Sequence, residues 1–177
     1  AVVALFILGI GLRFLNLTNP PLDVHSFRVL PSLMTARGMY YQMLSTADPA
    51  ERDLAVSLIA LHEEPPITER LVALTYLVVG SEQYWIFRLW TTLFWVIGGL
   101  GLFLLARGIS NTGGALLALG YYLLLPFGII ETRAFLPEPL MVMLIIWALY
   151  AIYRWTIQPP WKWGLAAGVL AGMAVYS

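Results

Sequence analysis

The chain has 177 residues, of which 60% are hydrophobic and 11% charged, against roughly 45–50% and 25% in soluble domains. Ten Lys and Arg balance ten Asp and Glu, so no nucleic-acid partner is suggested, and neither a Gly-rich phosphate loop nor a basic stripe occurs. Cysteine is absent, which excludes disulfides and Cys-based metal sites; the composition is that of an integral membrane protein.

A bilayer core about 30 Å thick needs about 20 apolar residues of helix. Residues 1–17, 84–106, 114–130, 139–157 and 163–177 meet or nearly meet that length. The fold class is therefore all-α, a polytopic membrane helix bundle. The first segment, AVVALFILGIGL, has the length of a signal-peptide core or of part of a membrane helix. No small-residue cleavage motif follows; Arg13, Phe14 and Asn16 come instead, which favours a helix clipped at its start. The last segment, WKWGLAAGVLAGMAVYS, stops inside an apolar helix. The 177 residues are expected to be the N-terminal part of something larger, and to be inactive alone.

Residues 18–83 form one long loop domain with amphipathic helices, between a first span at 1–17 and four further spans over 84–177, the last one truncated. In 26–44 the polar residues Arg37, Tyr40, Tyr41 and Gln42 mix with Val29, Leu30, Leu33, Met34 and Met43. A turn at Asp48-Pro49 opens a short helix that carries the densest acidic run, Asp48, Glu51 and Asp53. Residues 67–79 start after Pro65-Pro66 and end at Gly80, the natural C-cap. That helix is about 20 Å long, too short to cross comfortably. It is expected to lie at the interface, with Thr68, Glu69 and Arg70 at its polar start.

Orientation follows from the basic connectors. Arg107, Arg154 and Lys162 follow the second and fourth spans, whereas the connector ETRAFLPEP carries Glu131 and Glu138 against Arg133. The basic connectors are expected on the cytoplasmic side. Provided that 67–79 does not cross, the loop 18–83 and the connector 131–138 share the outer face.

That face holds the candidate chemistry. Asp23 follows Asn19-Pro20-Pro21, a rigid exit from the first span, where a carboxylate can take a proton from an incoming nucleophile. Capping the helix that starts near Ser26 is the plainer role for it. His25 and His62 are the two histidines, and His62 is followed by Glu63 and Glu64. His62 and Glu64 are candidate ligands for a divalent metal, although the spacing matches no closed zinc motif and exposed polar residues are the favoured reading. Arg28, Arg70, Arg88 and Arg133 offer guanidinium forks to a phosphate, with snorkelling as the plainer role. Arg88 lies about a turn inside the second span, where a charge implies a partner, and Arg13 has the same property in the first.

The order GLR, PPLDVHSFR, EEPPITERLVALTYLVVGSEQYWIFRLWTTLF and ETRAFLPEPLMV resembles the N-terminal half of GT-C superfamily glycosyltransferases, which include protein O-mannosyltransferases and aminoarabinose transferases of lipid A. The resemblance covers nearly the whole chain. It implies an enzyme that moves a sugar from a polyprenyl-phosphate donor to a lipid, glycan or protein acceptor, with inversion, on the outer face of a bacterial or archaeal plasma membrane. It implies Asp23 as the general base and Glu138 as the second acid, with Glu131 as the weaker candidate. His25, Arg28, Arg70, Arg88 and Arg133 would then bind substrate, and His62 or Glu64 would approach the donor phosphate or a divalent metal. The sequence departs from the O-mannosyltransferase branch in having Asp23-Val24 where an Asp-Glu pair is common. The competing reading is a lipid-phosphate transporter or flippase-like protein without catalysis, which would be expected to keep ionisable residues or broken helices near the bilayer midplane. A purely structural membrane subunit is the third, which an acid-poor outer loop would have favoured.

Overall fold

The computed structural model describes residues 1–20, 26–61 and 65–177, and among them the regular structure is helical, with no strand. The helices are α1 Val2–Phe14, α2 Ser26–Met43, α3 Pro49–Ser57, α4 Ile67–Val79, α5 Trp85–Ile109, α6 Thr112–Leu124, α7 Pro126–Glu131, α8 Glu138–Ile157 and α9 Trp161–Tyr176; a 3-10 turn, Leu58–Leu61, extends α3. Together they form an all-α membrane bundle. α5 and α8 are long and apolar enough to cross a bilayer, whereas α1 and α6 are shorter.

Local chemistry sets several boundaries. α3 starts because the Asp48 carboxylate accepts from the Ala50 amide at 2.8 Å while Pro49 takes the first helical position. α4 stops at Gly80, whose φ of 77° is the left-handed conformation that a residue without Cβ adopts freely. Asn111 caps α6 by accepting from the Gly114 amide at 3.0 Å.

The apolar segment 114–130, expected as one span, is interrupted. Leu125 before Pro126 is extended, with ψ 126°, as the proline ring demands of its predecessor. Pro126 has no N–H to return to the Tyr122 carbonyl, and the break frees the Leu123 carbonyl as well. Both are satisfied from other helices. The Trp95 indole donates to the Tyr122 carbonyl at 3.1 Å, and Arg13 Nη1 donates to that of Leu123 at 2.8 Å. A kink written by one proline thus becomes the anchor for α1 and α5.

α5 is central, packing on α1, α4, α6 and α8. Close approach depends on small residues: a Cβ at Gly98 would lie 2.6 Å from the Tyr122 hydroxyl and 3.4 Å from the Met143 backbone. Large apolar side chains such as Ile7, Leu117, Leu149 and Val169 point outward, as lipid contact allows. α2 and α4 lie over the end of the bundle where α5 begins. Val29, Ala36, Tyr40, Val72, Ala73 and Tyr76 form a core with Ile86 and Phe87 of α5 and with Ala134–Leu136 before α8. Phe87 and Phe135 stack there at 4.9 Å between centroids. α4 turns Leu74, Val78 and Val79 outward.

The start of α4 differs from expectation. Thr68 and Glu69 are buried and only Arg70 is exposed. Glu69 falls on the same stripe as Val72, Ala73 and Tyr76, at helical spacings of three, four and seven, so it turns inward with them. Burial at this face also pushes the Tyr76 phenol well above its usual range.

Candidate functional site

The site is built where the first loop meets the connector before α8. Arg88, one turn into α5, is 1% exposed. Its Nη1 donates to the carbonyls of Leu17, Asn19 (2.7 Å) and Asn16 (3.3 Å), and its Nε donates to the Arg133 carbonyl at 3.4 Å. Asn16 is in the left-handed conformation, φ 55°, and the chain turns there. Thr91, three residues further along α5, donates its hydroxyl to the Thr132 carbonyl at 2.6 Å. Arg133 Nη1 donates across to the Leu15 carbonyl at 3.2 Å. Two side chains of α5 and one of the connector therefore hold residues 15–19 against residues 132–133.

Beside this junction, Glu138 is the first residue of α8, where a negative charge meets the positive end of the helix dipole. Its Oε1 accepts from Arg28 Nη1 at 2.7 Å, across 110 positions of chain. The pair is open to solvent, with side-chain exposures of 40% for Arg28 and 32% for Glu138. Glu138 Oε2 is buried and has no hydrogen-bond partner among the described residues. One carboxylate oxygen is thus fixed by a cation while the other retains its accepting capacity.

Of the residues singled out from sequence, Arg28, Arg88, Arg133 and Glu138 converge here. Asp23, His25, His62 and Glu64 lie outside the described residues. Arg70 stands apart, on an open groove of about 310 Å³ with Pro65, Pro66, Leu71, Leu74 and Tyr176. Arg88 has its guanidinium buried on backbone carbonyls, which makes it a pin between loops. Arg13 is a second such pin. Also 1% exposed, it donates to the Gly9 and Leu123 carbonyls at 2.8 Å, while its Nε and Nη2 are buried without a hydrogen-bond partner among the described residues. Sequence reasoning missed Thr91 and Thr132, and the burial of Glu69. A hydroxyl one turn beyond a buried arginine, and an acid in register with an apolar stripe, were the available signals. Among the described residues, no three acids or histidines gather as a metal site would require.

No curated protein and no solved structure matches the chain. The family described as dolichyl-phosphate-mannose-protein mannosyltransferase matches residues 63–177, about two thirds of the length, a segment that includes Arg88, Arg133 and Glu138 and begins after the first loop's Asp23. With that match on a helical membrane bundle whose polar residues converge at one end, the chain belongs to the dolichyl-phosphate-mannose-protein mannosyltransferase family, glycosyltransferases of the GT-C kind.

Proposed function

We propose that this protein transfers a sugar from a polyprenyl- or dolichyl-phosphate donor to a lipid, glycan or protein acceptor on the extracytoplasmic face, with inversion and with Asp23 as general base. The observation that carries the reading is the bracketing of residues 21–25: Asn19 is held by Arg88 and Arg28 by Glu138. Asp23 is four residues from Asn19 and five from Arg28, a tether of at most about 14 to 18 Å. That short tether supports the reading of Asp23 and Glu138 as the two acids of one site.

In the proposed step the acceptor hydroxyl attacks the anomeric carbon and gives its proton to Asp23. The bond from that carbon to the phosphate oxygen breaks on the opposite side, and the polyprenyl phosphate leaves with the electron pair. Arg28 and His25 flank the reacting sugar, and Arg70, exposed beside an apolar groove, suits the phosphate of a lipid whose tail stays in the bilayer. The unpartnered Oε2 of Glu138 accepts a hydrogen bond from the acceptor and orients it. His62 and Glu64, or Glu138, would hold a divalent cation, which would stabilise the charge of the leaving phosphate.

The test compares full-length wild type with Asp23→Asn in membranes supplied with radiolabelled polyprenyl-phosphate sugar, at matched expression. Transfer should fall by about 10²- to 10⁴-fold while donor binding is kept. Unchanged transfer would overturn Asp23 as the base.

A further inference from the structure

The opposite end of the bundle carries a second polar site. All ten acids of the chain lie within residues 23–82 or 131–138. At the far ends of α5 and α8 stand Arg107 and Arg154, with Lys162 in the first turn of α9 and no acid in those segments. A groove of about 400 Å³ opens between the two helices, lined by Arg107, Gly108, Tyr150, Tyr153, Arg154 and Gln158 among others. Arg154 is held in place: it donates to the Tyr150 hydroxyl at 3.2 Å and the Gln158 side chain at 3.5 Å, and lies 5.1 Å from the Trp163 ring centroid. Gly108 admits the Tyr153 ring over α5, since a Cβ there would stand 2.4 Å from it. Arg107 is exposed.

Exposed Ile109, Trp155, Ile157 and Trp161 surround this end with the aromatic and aliphatic side chains of a bilayer interface. Two guanidinium groups and a phenol, set at headgroup depth above an apolar helix surface and without a counter-charge among the described residues, match a phosphodiester carrying acyl chains. We propose that this groove binds the headgroup of an anionic phospholipid in the leaflet opposite the Arg28–Glu138 pair. The inference rests on the protein being embedded in a membrane and not on the transfer chemistry, so loss of the Asp23 assignment would leave it intact.

Native mass spectrometry of the full-length protein in uncharged detergent tests it, with phosphatidylglycerol, phosphatidylcholine or inorganic phosphate added. Wild type should retain phosphatidylglycerol in preference to phosphatidylcholine. The double variant Arg107→Gln/Arg154→Gln should bind phosphatidylglycerol about thirtyfold more weakly, the two lysine substitutions should restore part of that, and Arg52→Gln in α3 should match wild type. Equal retention of the two lipids by wild type, or unchanged retention in a folded double variant, would overturn the site. Capture of inorganic phosphate with no retained phospholipid would overturn the lipid as its occupant.

Discussion

Arg88 and Arg28 stand at the same end of the bundle and use the same group in opposite ways. Arg88 is buried and spends its donors on carbonyls of two loops. Arg28 is half-exposed and meets a carboxylate that keeps one oxygen unpartnered. A buried cation on backbone carbonyls has no rival partner in solvent, so it fixes geometry. An open ion pair contributes little to stability and can be exchanged for a ligand at small cost. The comparison separates the frame of the site from its working surface, although sequence offers the two arginines as equals.

The largest effect should come from the frame. Arg88→Gln leaves at least two loop carbonyls without their donor, and the full-length protein should lose about 3 kcal/mol or more, seen as a lower melting temperature and poor recovery from detergent. Arg88→Lys should recover only part, because an ammonium lacks the planar fork. A glutamine variant that melts like wild type would end the distinction between frame and surface. Arg13→Met should cost less, about 1–2 kcal/mol: the Leu123 carbonyl loses its donor, but two unpartnered buried nitrogens disappear with the charge. Thr91→Val removes one hydroxyl from the Thr132 carbonyl and should cost about 1 kcal/mol. Transfer should fall further than that loss of stability implies if the junction sets the distance between the two loops, which kinetics at a temperature well below the melt would show.

Which parts of this were readable beforehand follows from where the information sits. The five apolar segments, the Asp48-Pro49 helix start and the Gly80 stop are local, written in composition and in single residues with fixed backbone preferences. Pro126 is a local breaker, but the consequence of the break was not legible, since the carbonyls it frees belong to Tyr122 and Leu123 and their partners come from 27 and 110 positions away. Arg88 announced that it needed a partner by lying inside an apolar span. That the partners are carbonyls could not be read, because every residue carries one. Glu69 was misjudged for a related reason: a charged residue near a helix start reads as exposed until a second helix and the end of α5 cover that face.

The smallest expected change in stability belongs to the working surface. Arg28→Gln, Glu138→Gln and the double variant should each melt within about 1 kcal/mol of wild type, since the pair is open to water. Their transfer activities carry the information. If Arg28 acts only by orienting Glu138, either single substitution should cost nearly as much as both, and the double-mutant cycle should show a coupling close to the whole single effect. If Arg28 also contacts donor phosphate, Arg28→Gln should add a raised donor KM that Glu138→Gln does not share, and the two effects should sum more nearly. A large loss of stability from either substitution would place this pair with Arg88 in the frame, and the unpartnered oxygen of Glu138 would then have to be explained by packing.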